Sequence, residues 1–297
     1  MADFERYLAP RSLQQALAAL AQPGGATVLA GGTDLMPQRH AGRVKAAPLL
    51  LNIRRIEGLD RIVVEGDRLV LGALVTLTQA QRSALVQQHA PLLVQVADKF
   101  ASEQIRNVAT LGGNLCNASP AGDTLVALLA LDAELELARL ADDGRVLARR
   151  LSVLDFFTGP GRTQRAADEL LTTLRLPLAG ATQVARFYKS GTRQALDISS
   201  ISIALAARRA DDGSLSGVRL ALGAVGPTPL RARSAEARLE GRPLDPATIK
   251  AAAAAAAADA RPIDDLRASA WYRRELLRNM TERMLIDVAR TTDLVHA

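Results

Sequence analysis

The sequence predicts an α+β chain of two domains. Helical and strand patterns interleave as far as Pro177, a breaker segment, Leu178-Ala-Gly-Ala181, follows, and beyond it strands come first and helices last. Two glycine-rich segments narrow the class, residues 28–37 (VLAGGTDLMP) and 110–124 (TLGGNLCNASPAGDT). Each puts Gly-Gly before small polar residues, and glycine, having no Cβ, lets backbone N–H groups approach a bulky anion closely. Two such segments, separated by about one subdomain, point to one extended ligand held at two places, such as a dinucleotide.

The elements follow from periodicity and punctuation. Ser12 to Gln15 reads as a capping box, and Leu13, Ala16, Leu17 and Leu20 share one helical face that Pro23-Gly24-Gly25 ends. Residues 26–30 form a short apolar run suited to a buried strand, so the first glycine segment lies at a strand's C-terminal end, where α/β sheets bind ligands. Residues 48–53 read as a strand, and 61–65 with 68–75 as a hairpin turned by Gly66-Asp67. Thr78 is expected to cap a helix over 79–88, and Pro91 to start one that runs to about Phe100. The second glycine segment reads as a polar loop before a helix over 124–131. Strands are expected at 133–139, 145–150 and 170–176, then at 184–189, 200–209 and 217–225, with helices over 234–240, 246–260 and 269–288. The alanine run 251–258 suits a scaffold helix, because alanine combines high helix propensity with little bulk.

Composition excludes several functions. Of 297 residues, 48% are hydrophobic and 3% aromatic, so Ala, Leu and Val fill the core. No apolar run approaches the ~18 residues that span a bilayer. The N-terminus MADFERYLAP lacks the basic and apolar regions of a signal peptide, so a soluble, cytoplasmic protein is expected. The net charge of +6 is spread over the chain without basic runs interleaved with aromatics, which argues against a nucleic-acid surface. Cys116 is the one cysteine, so no disulfide, iron–sulfur cluster or thiolate zinc site can be built from this chain. His40, His89 and His296 are scattered, and a metal site is not expected. Redox chemistry here requires an organic cofactor.

Gly31 and Gly32 can form an anion nest, Thr33 can add a hydroxyl, and Asp34 suits a turn cap or a sugar hydroxyl better than a phosphate. No Gly-Lys-Ser/Thr follows, and Gly-x-Gly-x-x-Gly is absent, so neither a P-loop nor a Rossmann site is indicated. In the second segment Asn114, Asn117, Ser119, Asp123 and Thr124 crowd hydrogen-bonding groups around Gly112 and Gly113, and Asp123 is a candidate acceptor for a sugar hydroxyl.

VLAGGTDLMP, FASEQIRNVATLGGNLCNASPAGD and FYKSGTRQALDIS together resemble the FAD-binding subunit of the molybdenum hydroxylases, the xanthine dehydrogenase and carbon monoxide dehydrogenase family. The resemblance extends to the last helix, DLRASAWYRRELLRNMTERML. It implies a first domain, residues 1–178, of the vanillyl-alcohol-oxidase (PCMH) type, and a smaller second domain, residues 182–292. Carried over by position, Val28, Leu29, Ala30, Gly31, Gly32, Thr33, Asp34 and Leu35 match the loop around the FAD pyrophosphate. Phe100 matches an aromatic near the adenine side. Thr110, Gly112, Gly113 and Asn114 match the second flavin loop, and Asp123 an acidic residue that contacts the cofactor. Thr172 matches a position beside the flavin ring, Lys189 a lysine near the ring or its phosphates, and Ile198 a residue of a loop over the ring. Read without the resemblance, Phe100 and Ile198 suit a core, Lys189 a solvated strand end, and Cys116 a small buried residue without a redox role.

The resemblance also implies partners: a large subunit with molybdopterin, a small subunit with two [2Fe–2S] clusters, a dimer of heterotrimers, and an external acceptor such as NAD+, oxygen or a quinone. With Cys116 alone, the chain lacks the cluster-bearing insertion of the 4-hydroxybenzoyl-CoA reductases. Two other readings use the same residues: a stand-alone FAD-dependent alcohol oxidase, and a non-catalytic assembly protein that keeps the fold.

Overall fold

The structure, a computed structural model, describes residues 4–44, 47–180, 183–193 and 196–290. Ala181, the expected domain limits at 182 and 292, and His296 lie outside them. A parallel sheet of three strands opens the chain, in the order Arg6–Leu8, Leu49–Asn52, Ala26–Leu29, with helix Leu13–Leu20 packed on it. An antiparallel sheet of five strands follows, ordered Ile62–Glu65, Arg68–Gly72, Leu170–Pro177, Glu134–Leu140, Val146–Ser152. The C-terminal sheet is antiparallel, ordered Gln183–Ser190, Ile201–Arg209, Leu215–Gly223, Leu230–Arg231. Among the described residues no helix is long and apolar enough to cross a membrane.

The expected strands all form, within one or two residues of their predicted ends except for 68–75, which stops three residues short at Gly72. Two expectations fail locally. Thr76, not Thr78, caps the helix after the hairpin, because Gln79 three residues on completes a capping box with it. That helix, Leu77–Arg82, stops at Ser83, whose hydroxyl accepts from Val86 N and caps a second helix, Ala84–His89. Thr78 instead donates to Asn107. The second glycine segment is a helix, Leu111–Asn117, capped by Thr110. Strand Arg6–Leu8 and helix Leu35–His40 are too short to carry a period in the sequence.

The period-2 alternation of the C-terminal sheet sorts side chains by size. Ile201, Ile203, Leu205, Leu220 and Leu222 face the helices Arg233–Leu239, Pro246–Asp259 and Ala270–Arg290. Ala204, Ala206, Ala221, Ala185 and Phe187 face the first domain and join its main core. That nearly flat face lets helix Asp123–Ala130, apolar all round and wholly buried, lie close on the sheet. At Gly223 an added Cβ would lie 2.5 Å from Val126 Cγ2 and 2.4 Å from Ser202 Oγ. Helix Pro91–Lys99 reaches the same sheet through Gln95, whose amide donates to Ala185 O (3.1 Å) and accepts from Phe187 N (2.9 Å), satisfying an edge strand. The two halves therefore share one core across a tight seam.

The final helix is fixed at both ends. Near its C-terminus Tyr188 donates to the Asp287 carboxylate, and burial with that bond pushes the phenol up to about 12. At its N-terminus the buried Arg273 guanidinium donates to Asp265 at 2.7 Å. Chiefly through that bond the Asp265 carboxyl is held at about 2, against an ordinary 3.8. The stabilisation it gives is complete above about pH 4 and is lost as the pH falls toward 2. D265N is expected to cost roughly 1–2 kcal/mol at pH 7, after discount for solvent screening, and much less at pH 2.5. Urea denaturation at the two pH values checks this; an equal cost at both would refute it.

Candidate functional site

A cavity of about 850 Å³ opens where the three sheets meet. That is at the upper end for small-molecule sites and ample for a dinucleotide. The first glycine segment forms one wall. Strand Ala26–Leu29 ends in a turn whose Gly32 has φ +75°, a left-handed conformation natural to glycine. Gly31 faces backbone: a Cβ there would lie 2.0 Å from Val108 O. The amides of Gly31, Gly32, Thr33 and Asp34 donate to no protein acceptor among the described residues. The loop thus leaves four backbone donors unspent beside the cavity.

The second segment works differently. The amides of Leu111, Gly112 and Gly113 are all taken, by Val75 O (2.9 Å), Ala73 O (2.8 Å) and the Thr110 hydroxyl (3.0 Å). A Cβ on Gly112 would meet Ala73 Cβ at 2.6 Å, and one on Gly113 would meet Thr110 Oγ1 at 2.8 Å. These glycines serve close approach to the neighbouring strand connection and not anion binding. Asn114 accepts from the Thr124 hydroxyl at 2.5 Å. Gln38 ties the two segments together: its amide nitrogen donates to Asp34 Oδ2 (2.6 Å) and to Asn117 Oδ1 (3.0 Å). Asp34 stands at the N-cap of helix Leu35–His40, but its side chain caps nothing and takes Gln38 instead.

Of the expected site residues, all but Leu29 and Thr172 line this cavity. Leu29 packs beneath the loop, its Cδ1 2.9 Å from where a Gly32 Cβ would be. Thr172 is buried in its strand and donates to Glu136 O, while Leu170 and Leu171 beside it reach the cavity. Ile198 is 50% exposed at the cavity, so it is not core. Phe100 is half-buried against the main core as well as lining the cavity. Cys116 also lines it and is half-buried; burial pushes its thiol up against the pull of Arg165, which keeps it protonated at neutral pH.

Asp123 departs most from expectation. It is 5% exposed, at the start of its helix, and both oxygens are committed: Oδ2 to Lys189 Nζ (2.5 Å) and Oδ1 to the Ser199 hydroxyl (2.5 Å). Lys189 and Ser199 both belong to the C-terminal part, so Asp123 joins the halves. Burial pushes its carboxyl up, opposed first by the Lys189 charge and then by the bonds from Lys189 and Ser199. Lys189 is not a solvated strand end; its side chain is 10% exposed.

Residues 2–179 match the family described as the FAD binding domain in molybdopterin dehydrogenase, and residues 186–288 the CO dehydrogenase flavoprotein C-terminal domain. The chain belongs to the FAD-binding subunits of the molybdenum hydroxylase family. It is 34% identical to the xanthine dehydrogenase FAD-binding subunit of Escherichia coli O157:H7 over 96% of each chain. It is 31% identical to the nicotinate dehydrogenase FAD-subunit of Eubacterium barkeri over 97% of each. Among solved structures, it superposes on carbon monoxide dehydrogenase from Hydrogenophaga pseudoflava with TM-score 0.89 at 32% identity, covering 95% of this chain and 96% of that one. The chain is thus an oxidoreductase subunit with FAD as its cofactor, and its two-part mixed fold is that of the medium subunits.

The cavity fits FAD on its own terms: four amides without a protein acceptor among the described residues, suited to a pyrophosphate, and apolar faces from Phe100, Leu170 and Leu171. Sequence reasoning missed Gln38, Arg165 and Arg106. Gln38 stands four residues after Asp34 on one helical turn, which was a usable signal. Arg106 holds the backbone beneath Phe100 by donating to Phe100 O (2.9 Å) and Ala101 O (3.0 Å), where Ala101 has φ +40°; nothing local in the sequence announces it.

G31A is expected to destabilise the FAD subunit by about 2–4 kcal/mol and to abolish FAD retention, because Val108 O is backbone and cannot yield as a side chain would. G180A, with open space around it and no positive φ, is the control and should be near neutral. Thermal melts and the flavin content of purified protein give the comparison.

Proposed function

We propose that this subunit holds the FAD through which electrons leave a larger complex, passing from [2Fe–2S] clusters of a partner subunit to NAD+, oxygen or another acceptor. The observation that carries this is the cavity, whose described lining suits FAD, in a chain that relatives named as FAD subunits match nearly end to end. When bound, FAD supplies the redox chemistry, and the protein supplies position and electrostatics. Gly31, Gly32, Thr33 and Asp34 hold the pyrophosphate by their amides. Phe100 and Ala101 pack toward the adenine side, and Ile198 flanks the ring. Leu170 and Leu171, in place of Thr172, complete the apolar wall. We take 1–178 and 182–292 as the two domains and the cytoplasm as the compartment.

The large partner would hold molybdopterin and oxidise the organic substrate, and the assembly would be a dimer of heterotrimers. Support comes from relatives described as medium chains or FAD subunits that the present chain matches nearly end to end. Native purification tests the reading. Co-elution of this chain with molybdenum, iron and FAD supports it. A yellow monomer that oxidises an alcohol by itself would overturn it in favour of a self-sufficient oxidase.

Ile198 offers a test of the acceptor. An apolar aliphatic side chain beside the ring leaves a nicotinamide more room than an aromatic one does. I198Y is therefore expected to slow NAD+ reduction several-fold while reduction of an artificial dye continues. Equal losses with both acceptors would refute the placement.

A further inference from the structure

The buried chain Ser199–Asp123–Lys189 does more than join two domains. Lys189 carries its ammonium on strand Gln183–Ser190 and lines the cavity. One N–H bonds Asp123 Oδ2 at 2.5 Å, and a second contact reaches Lys99 O at 3.4 Å, which leaves donor capacity toward the cavity. Asp123 is held in turn by Ser199, which is fully buried. A buried ion pair costs more in desolvation than a surface pair, and an apolar seam would join the domains at least as well. Much of the seam is built that way, from Ala204, Ala206, Ala221 and Phe187. Elsewhere along it Asp132, half-exposed, pairs with Arg219 and with Arg231. The buried pair stands where the seam meets the cavity.

Its position along the cavity follows from the chain. Ser199 is the residue after Ile198, which flanks the ring in the reading above, so the ammonium lies two hydrogen bonds from the ring-side loop. The amide nest of Gly31 to Asp34 is a separate element with its own donors. A fixed cation beside the flavin ring favours the reduced form, which carries more negative charge than the oxidised form.

We propose that Ser199 and Asp123 are positioning residues that fix the Lys189 ammonium at the ring end of the cavity, where it sets the reduction equilibrium of the bound FAD. This rests on the FAD reading of the site. Lys189 is the group that touches the cofactor; Ser199 acts through Asp123.

The test uses the full chain loaded with FAD, followed by spectroelectrochemical titration and by FAD dissociation constants from flavin fluorescence. K189M is expected to shift the two-electron equilibrium about tenfold toward the oxidised form, a fall of about 30 mV. S199A, which keeps the ion pair, is expected to shift it about threefold in the same direction, with S199T restoring it. In the double variant S199A/K189M the shift should equal that of K189M alone, because Ser199 acts through the lysine. Thermal melts identify any variant that has lost its fold; S199A, the milder change, carries the test if K189M does not fold. An unchanged potential in S199A overturns the proposal and leaves the chain of bonds a domain latch. Additive shifts overturn it too, as would a loss of FAD affinity with no change in potential, which would assign Lys189 to the pyrophosphate. Failure of the wild-type chain to bind FAD would instead remove the underlying reading, and the inference with it, and that is seen before any variant is made.

Discussion

Close approach at glycines is the constraint on which the rest of this molecule depends. At Gly31 the first loop lies against the Val108 backbone, at Gly112 the second segment lies against Ala73, and at Gly223 the C-terminal sheet lies against the Val126 and Ser202 side chains. In each case a single Cβ would collide with an atom that has little freedom to move. These contacts draw the parallel sheet, the antiparallel sheet and the C-terminal sheet toward one cavity. A cofactor as long as FAD spans several elements, so its site exists only if those elements meet within a few tenths of an ångström. Interiors packed to crystal-like density cannot absorb such misfits by flowing.

The seam shows how composition serves this geometry. With few aromatics, the chain fills its interdomain face with alanine, and it puts the larger Ile and Leu side chains on the opposite face, against the C-terminal helices. The small face allows helix Asp123–Ala130 to sit deep. The depth in turn removes water from Asp123, which raises the cost of leaving that carboxylate alone and forces it to find Lys189 and Ser199. Packing and electrostatics are therefore one fact here: a bulkier seam would lift the helix, hydrate the carboxylate and loosen the lysine.

What was legible in the residues divides along physical lines. Strands with strong alternation, such as Ile201–Arg209, and helices with clear stops, such as Leu13–Leu20 before Pro23, are visible because their signals are local. The nest at Gly31 and Gly32 is visible for the same reason. The second glycine segment misleads because glycine signals either positive φ or close contact, and a single sequence does not distinguish them; its φ values are helical and its amides are spent. Thr76 and Thr78 are two residues apart, and Gln79, three residues after Thr76, selects the first by completing a capping box with it. Asp123 lines the cavity, and its protein partners Lys189 and Ser199 stand 66 and 76 residues away, out of reach of any local signal. Pairing at that range is a property of the assembled seam.

The same seam bears on why this subunit needs two parts at all. The unspent amides of Gly31 to Asp34 and the Phe100 face come from the first part of the chain. The opposite lining is different: Lys189, Leu196, Asp197 and Ile198 all come from the C-terminal part. Asp197 accepts from the Thr192 hydroxyl and from the amides of Thr192, Arg193 and Ile198, and those bonds, the hydroxyl's first, hold it below the usual carboxylate range. The turn is thus braced from within, and the lysine beside it is braced from across the seam. On the proposed reading, one domain binds and the other adjusts, so the second can vary without disturbing the first provided the alanine face that seats them is kept.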